Sequence, residues 1–212
     1  MDDLKRLLFS GDADGLAKEV ERLLKENMAP GEILNNGLIA GMAVIGERFK
    51  NNEIFIPEVL ISADAMHAGM KVLEPFLVEA GIKPVGRVVI GTIKGDLHDI
   101  GKNLVLMMLK GAGFQIEDCG IDVPPERFVE KIKATEADIL AMSSLLTTSM
   151  PAMRLTIEAL RANNIRDRVK VMIGGAPVTK GFANEIGADG YGKDAAEAVD
   201  VAKMFIQEKL KI

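Results

Sequence analysis

Apolar residues recur at the spacing of amphipathic helices throughout the first eighty positions of the chain. The recurring positions are Leu16, Val20, Leu23 and Leu24; then Leu34, Leu38, Met42, Ile45 and Phe49; then Ile56, Leu60, Ala63, Met70, Leu73 and Leu77. Gly11 and Asp12 end a short first helix, and Pro30 and Pro57 suit the first turns of later helices. The pattern predicts four helices with short connections, which form a small bundle over residues 1–80.

The pattern changes across residues 79–86, a segment with two glycines and one proline. Beyond it, short uninterrupted apolar runs alternate with helical stretches. Strands are predicted at 87–93, 114–119, 139–143, 169–173 and near 190–191, and helices at 100–110, 125–134, 151–163, 180–186 and 195–211. We therefore predict a linker at 79–86 between a helical domain, 1–80, and a second domain, 87–212.

Strict alternation of strands and helices indicates an α/β domain whose parallel sheet is covered on both faces. Five strands favour the doubly wound, flavodoxin-like (Rossmann-like) order 2-1-3-4-5, here preceded by an all-α four-helix bundle. In such a sheet a ligand binds beyond the carboxyl ends of strands 1 and 3, where the strand order reverses.

Composition and charge narrow the function classes. The 212 residues carry 26 Lys and Arg against 31 Asp and Glu, a formal charge of −5, and no basic block, so nucleic acid is not expected as a partner. No run of eighteen apolar residues occurs and the first residues are acidic, which predicts a cytoplasmic protein without a membrane partner. The lone Cys119 can form neither an internal disulfide nor a cysteine metal cluster, and imidazole chemistry is limited to His67 and His98.

Two loops at the expected crevice carry the unusual residues. The loop after the first strand reads KGDLHDIGKN (94–103), and the loop after the third strand reads SSLLTTS (143–149). Neither loop has a dinucleotide or phosphate-binding fingerprint, and the chain has no G-x-S-x-G hydrolase elbow. A carboxylate next to a histidine is the usual support of a metal-ligating imidazole, although backbone groups alone could also satisfy a loop histidine.

The run from Gly95 to Asn103 resembles the D-x-H-x-x-G signature of cobalamin-binding domains, as found in methionine synthase and in the corrinoid proteins of methyltransferase systems. Ser143 and Thr147 match the S-x-L-x-T element of this family, and Gly174-Gly175 match its double glycine. Thr148 departs from the pattern, since methionine synthase has proline there. The N-terminal helices resemble the cap domain of these proteins, so the resemblance covers essentially the whole chain.

The resemblance implies a cobalamin cofactor whose cobalt takes His98 as its lower axial ligand in place of the cofactor's own dimethylbenzimidazole, a base-off, His-on complex. Asp96 would accept a hydrogen bond from the other imidazole nitrogen, Ser149 would continue this relay, and a proton on Asp96 would tune the imidazole. The residues implied to contact the cofactor are Asp96, Leu97, His98, Asp99, Ile100 and Gly101 in the signature, and Ser143, Leu145, Thr147, Gly174 and Gly175 along the nucleotide tail.

The cap would cover the upper face of the cobalt and move aside for partners, with a hinge at 79–86. Val59, Met66 and Met70 are the candidate cap residues, although methionine at helical spacing is more typical of core packing. We expect His67 to be a helix-face or cap histidine and Cys119 to be a small packed residue.

By resemblance the chain is a methyl carrier in one-carbon metabolism such as methanogenesis or acetogenesis, with no catalytic residues of its own. It would shuttle a methyl group between a donor-specific methyltransferase and an acceptor methyltransferase, and a reductive activase would be a further partner. The donor (methanol, a methylamine, a betaine or a methyl ether) and the acceptor (a tetrahydrofolate-type pterin or a thiol) are not encoded in the chain. A cobalamin-binding mutase subunit and a cobalamin sensor or storage module are the alternatives.

Overall fold

A computed structural model describes residues 1–209. The chain packs as two compact units, one formed by Met1–Pro84 with Gly111–Gly113, the other by Val85–Lys110 and the residues from Phe114 onward. Within the described residues, none of the helices combines the length and the hydropathy of a membrane span. The linker at 79–86 between domains 1–80 and 87–212 stays a prediction.

The first unit is helical. Its elements are α1 (Asp2–Ser10), α2 (Ala13–Lys25), α3 (Pro30–Glu32), a π-helical segment (Ile33–Ile39), α4 (Ala40–Lys50) and α5 (Ile56–Glu79). Asp12 caps α2 by accepting a hydrogen bond from the Gly15 amide at 2.8 Å, and Pro30 and Pro57 lie in first turns as predicted. Leucine, valine and isoleucine side chains from these helices form the buried core.

The third predicted helix is continuous from Pro30 to Lys50, but its centre is a π-helix. Sequence periodicity did not reveal this segment, because apolar residues four apart, such as Leu34 and Leu38, fit either helix type. Gly37 lies in the π-helical segment, where a Cβ atom would be 2.5 Å from Leu4 Cδ1 of α1. A glycine at this position therefore allows α1 to approach closely.

The second unit is a parallel five-stranded sheet. Its strands are β1 (Arg87–Thr92), β2 (Gln115–Asp118), β3 (Ile139–Ser143), β4 (Lys170–Gly174) and β5 (Gly190–Gly192), in the order β2-β1-β3-β4-β5. The predicted order 2-1-3-4-5 is confirmed. The helices are α6 (Ile100–Gly111), α7 (Pro125–Thr135), α8 (Pro151–Ala162), α9 (Lys180–Ile186) and α10 (Ala195–Lys209), with a 3-10 turn at Arg166–Arg168. The last predicted helix extended to 211, and its positions 210 and 211 lie outside the described residues.

Strand ends differ from the prediction by one residue at several places. The predicted first strand includes Ile93, but β1 ends at Thr92, and Ile93 forms only an isolated bridge to Val123. The chain turns immediately afterwards, at Gly95 with φ 85°. The fourth strand begins and ends one residue later than predicted, so Gly174 lies within β4. Because β1 and β3 are parallel neighbours, the loops that follow them lie together at the carboxyl edge of the sheet, as predicted.

Candidate functional site

Asp96 is the centre of the site, in the loop that follows β1. Its side chain is fully buried, and its Oδ1 accepts hydrogen bonds from the His98 amide at 3.0 Å and from His98 Nδ1 at 2.7 Å. Its Oδ2 accepts from the amides of Leu145 at 2.6 Å and Leu146 at 3.2 Å, both in the loop after β3. One carboxylate thus joins the two loops that border the predicted crevice.

These contacts determine the charge of Asp96. Burial by itself would raise the pKa of Asp96, but hydrogen bonds from the backbone and ring of His98 and from the Leu145 and Leu146 amides hold that pKa well below its usual range. The resemblance placed a titrating proton on Asp96, whereas the surrounding donors favour the ionised form. Asp96 is therefore a hydrogen-bond acceptor for these neighbours in the cofactor-free chain, and tuning of the imidazole by a proton on Asp96 stays a prediction.

The ionised Asp96 in turn determines which tautomer the neutral His98 imidazole adopts. A carboxylate can only accept hydrogen bonds, so the neutral imidazole carries its proton on Nδ1 and keeps a lone pair on Nε2. The His98 side chain is 52% exposed, and its backbone carbonyl accepts a 2.9 Å hydrogen bond from the buried Thr92 hydroxyl. The loop therefore presents a half-exposed imidazole whose tautomer and orientation are held by Asp96, which is the usual support of a metal-ligating histidine.

Two buried serines complete the carboxylate pocket. Ser149 Oγ lies 3.2 Å from Asp96 Oδ2, the contact that the resemblance implied. Ser144 Oγ, which the sequence analysis did not single out, lies 3.4 Å from the same oxygen and 2.8 Å from Ser149 Oγ. Both hydroxyls also reach the Leu146 carbonyl, at 3.1 Å from Ser144 and 2.9 Å from Ser149. The two hydroxyl protons are shared among Asp96 Oδ2, the Leu146 carbonyl and the serine oxygens, and a proton donated to Oδ2 supports the ionised form of Asp96.

Large apolar side chains are exposed around His98. Leu97 and Ile100 are 68% and 80% exposed, and Leu145 and Leu146 of the neighbouring loop are also exposed. Ile121, in the loop after β2, has the same character. Exposed hydrophobic residues concentrated on three adjoining loops indicate a surface that a large apolar ligand covers.

The packing of the protein itself requires the two glycines at the end of β4, Gly174 as its last residue and Gly175 directly after it. A Cβ atom at Gly175, whose φ is 123°, would lie 1.8 Å from the backbone oxygen of Ser144. A Cβ atom at Gly174 would lie 2.9 Å from the carbonyl oxygen of Gly192 in β5. The resemblance places this pair along the nucleotide tail of the cofactor. The structure adds that the loops after β3 and β4 meet at backbone contact distance.

The Gly175→Ala variant is expected to unfold more easily than wild type, by at least about 2 kcal/mol, because the methyl group collides with backbone and φ is unfavourable. Urea unfolding of the chain without cofactor measures this free energy. Gly181→Ala is the matched control, since an added Cβ there meets only Thr179 Oγ1 at 3.7 Å. Equal unfolding free energies for the two variants would contradict the packing explanation.

Gly101, the glycine of the D-x-H-x-x-G signature, has open space around it. A Cβ atom there would meet nothing within 4 Å. Asp99 accepts a hydrogen bond from the Asn103 side chain at 3.0 Å, which steadies the first turn of α6. Ser143 is half-buried at the end of β3, and Thr147 is exposed in the following loop. Contact of these four residues with a cofactor stays a prediction.

The candidate cap residues lie on α5. Val59 and Met66 are buried and Met70 is half-buried, while His67 is exposed on the same helix. Their placement toward a cofactor stays a prediction. Cys119, after β2, is half-buried, and its burial raises the thiol pKa to about 11, so the thiol is protonated and unreactive at neutral pH.

Together, the flavodoxin-like sheet, the carboxylate-supported histidine at its switch point and the exposed apolar side chains around it are the features of a protein that binds a large cofactor at the carboxyl edge of its sheet. Models of two protein families, both described as B12 binding domain, match the chain, one over residues 86–200 and the other over residues 1–74. The chain belongs to this family of B12-binding-domain proteins.

Individual relatives agree with this assignment. The chain is 45% identical over 205 residues to dimethylamine corrinoid protein 2 of Methanosarcina mazei, covering 96% of this chain and 95% of the relative. Among solved structures, it is similar to the methanol:cobalamin methyltransferase complex of Methanosarcina barkeri (TM-score 0.88, 30% identity, 97% of this chain and 78% of that one). It is also similar to a cobalamin-binding protein of Desulfitobacterium hafniense (TM-score 0.78, 31% identity, 96% and 97%).

These findings confirm the predicted fold class and the cobalamin-type corrinoid cofactor. They also confirm the predicted function class, a corrinoid methyl carrier that works with a methyltransferase. The particular residues that bind the cofactor are not identified by these similarities.

Proposed function

We propose that the chain holds its corrinoid in the base-off, His-on form with His98 Nε2 as the lower axial ligand, and in this form carries a methyl group between two methyltransferases. The bound corrinoid supplies a cobalt atom that can accept and release a methyl group. The observation that carries the proposal is the 2.7 Å contact between His98 Nδ1 and the buried, ionised Asp96, which leaves Nε2 exposed as a ligand.

The surrounding residues fit this cofactor. The negative charge of Asp96 raises the electron density of the imidazole through the Nδ1 proton, which strengthens Nε2 as a ligand. The exposed side chains Leu97, Ile100 and Leu145 offer apolar surface to a macrocycle and exclude water from the ligand bond. The open space at Gly101 leaves room beside the first turn of α6. Ligand, apolar surface and space therefore occur together on one edge of the sheet.

The partners in this proposal are a donor-specific methyltransferase and an acceptor methyltransferase, with a reductive activase that restores the oxidised cofactor. A methylated amine is the donor that we favour, because the dimethylamine corrinoid protein of M. mazei matches nearly the full chain. In the same proposal residues 1–80 act as the cap, with Val59, Met66 and Met70 on its cofactor face, and residues 79–86 act as the hinge that lets each partner approach.

Methyl loading tests this function directly. The full chain is reconstituted with hydroxocobalamin, reduced, and mixed with methanol, dimethylamine or trimethylamine and the corresponding purified methyltransferase. We expect the visible spectrum of a methylated corrinoid with an amine system, followed by loss of the signal when an acceptor methyltransferase and its substrate are added. Tight corrinoid binding without methyl uptake from any system would instead favour a sensor or storage module.

A methyl group at Gly101 tests the predicted cofactor contact. Gly101→Ala is expected to stabilise the cofactor-free chain by roughly 0.5–1 kcal/mol, because alanine favours the helix, and to weaken hydroxocobalamin binding about tenfold by filling space that the cofactor uses. Gly181 is exposed and is the second residue of α9, as Gly101 is of α6. Gly181→Ala should therefore stabilise the chain without changing its affinity for hydroxocobalamin. Unchanged affinity in Gly101→Ala would remove Gly101 from the binding site. Urea unfolding and equilibrium titration provide the two values.

A further inference from the structure

Asp122, in the loop after β2, is bonded to the loop that carries His98. Its Oδ1 accepts a hydrogen bond from the Gly95 amide at 2.7 Å, and its own amide donates to the Asp96 carbonyl at 3.0 Å. Asp122 is the acceptor in one bond and the donor in the other, and its two partners, Gly95 and Asp96, are adjacent in the chain. This reciprocal pair fixes the backbone immediately before His98.

The conformation of Asp122 indicates that this clamp is maintained against a cost. Asp122 has φ 51°, a left-handed conformation that is uncommon for residues with a Cβ atom, and its side chain is exposed. Gly95 opposite has φ 85°. Both segments are therefore in turn conformations, and the two hydrogen bonds between them help to hold these conformations in place.

Further bonds join the same two loops beside the clamp. The Thr92 amide donates to the Gly120 carbonyl at 2.9 Å, and the Val123 amide donates to the Thr92 carbonyl at 3.0 Å. Thr92 Oγ1 then donates to the His98 carbonyl at 2.9 Å. The loop after β2 thus holds the His98 loop at Thr92 and again at Gly95 and Asp96, and only the second contact depends on an exposed side chain.

We propose that Asp122 is a positioning residue for His98: its carboxylate anchors the Gly95 amide and thereby holds Asp96 and His98 in the geometry in which the imidazole ligates the corrinoid. This inference rests on the proposed ligand role of His98 and adds a residue that touches neither cofactor nor imidazole. A ligand must be held within a fraction of an ångström of its productive position, and flexible loops achieve this only through such supporting bonds.

Three variants of the full chain separate the hydrogen bond from the backbone conformation. Asp122→Gly removes the acceptor but accepts the left-handed φ without strain. Asp122→Asn keeps an acceptor oxygen and also tolerates this φ. Glu136→Gly is the matched control, because Glu136 is likewise exposed and acidic, with φ 50°, at the end of α7.

The first measurement uses the chain without corrinoid. We expect amide hydrogen exchange in peptides spanning 94–98 to be about tenfold faster in Asp122→Gly than in wild type, since one charge-assisted hydrogen bond is lost. Asp122→Asn should restore most of the protection, and Glu136→Gly should leave this segment unchanged. Equal protection in wild type and Asp122→Gly, or equally fast exchange in Asp122→Gly and Glu136→Gly, would overturn the proposal.

The second measurement uses the chain produced with ¹⁵N-histidine and loaded with cobalt(II) corrinoid of natural isotope content, in which an axial histidine nitrogen splits the electron paramagnetic resonance lines into two and the cofactor's own base splits them into three. We expect the fraction of molecules with the histidine nitrogen signature to fall in Asp122→Gly and to recover in Asp122→Asn. If wild type and Asp122→Gly both show the full signature, the positioning role of Asp122 is overturned, while the ligand role of His98 is not. Absence of the signature in wild type would instead contradict His98 as ligand, and so the two failures are distinguishable.

Discussion

The Asp96→Ala variant is expected to lose about 3–5 kcal/mol of unfolding free energy even without cofactor. Alanine would leave the amides of His98, Leu145 and Leu146 without the carboxylate that now accepts their hydrogen bonds. The Asp96 side chain is fully buried at this position. Ser144 and Ser149 would also lose a hydrogen-bond acceptor. The two loops at the carboxyl edge of the sheet would separate, because this carboxylate is the group that joins them.

Urea unfolding of the cofactor-free chain measures this loss. Asp99→Ala is the matched control in the same loop, since the Asp99 side chain makes one 3.0 Å bond to Asn103 and is only half-buried. We expect the control to lose no more than about 1 kcal/mol. Asp96→Asn should fall between wild type and Asp96→Ala, because the amide oxygen can replace one carboxylate oxygen while the NH2 group faces donors. A loss in Asp96→Ala no larger than in Asp99→Ala would contradict the central role of Asp96.

The His98→Ala variant should show the opposite combination, near-normal stability and severely impaired cofactor binding. The imidazole is half-exposed, and its removal leaves Asp96 with its backbone donors, so the unfolding free energy should change by less than about 1 kcal/mol. Corrinoid affinity should fall by about 100-fold or more, because the protein ligand to cobalt is lost. Titration with hydroxocobalamin and the visible spectrum of the complex measure this effect.

His67→Ala is the control for this variant, because His67 is the other histidine of the chain and is exposed on α5. It should bind corrinoid with the affinity and spectrum of wild type. Equal weakening in both variants would indicate a general effect of losing a histidine rather than ligation by His98. A wild-type spectrum and affinity in His98→Ala would exclude His98 as the ligand.

Sequence patterns were sufficient for the sheet and for the parts of the site that lie close together in the chain. Uninterrupted apolar strands that alternate with helices predicted the parallel sheet, and their number, five, favoured the order 2-1-3-4-5. The two-residue spacing of Asp96 and His98 predicted a supported imidazole. Ser149 followed from the resemblance, and its contact with Asp96 is present. The sheet and the supported imidazole depend on residue type and local spacing, which a sequence displays directly, whereas Ser149 is 53 positions from Asp96 and was placed only by the family motif.

Other parts of the site depend on backbone geometry that residue types do not reveal. The Leu145 and Leu146 amides bind Asp96 whatever their side chains are, and the clash at Gly175 depends on where the Ser144 backbone lies. Asp122 contacts Gly95 across twenty-seven positions of chain, and nothing local marks it. A detectable signal existed for Thr92, the one hydroxyl residue of β1, which follows the buried apolar positions 88–91 and donates a hydrogen bond to the His98 carbonyl.

Isotope labelling of histidine tests the central claim most directly. The chain is produced with ¹⁵N-histidine, loaded with cobalt(II) cobalamin of natural isotope content, and examined by electron paramagnetic resonance. If His98 is the axial ligand, the three-line nitrogen splitting of the unlabelled protein becomes a two-line splitting, because ¹⁵N has nuclear spin one half, and His98→Ala abolishes it. A three-line splitting that persists in the labelled protein would show that the cofactor's own base is the ligand, and would contradict the account.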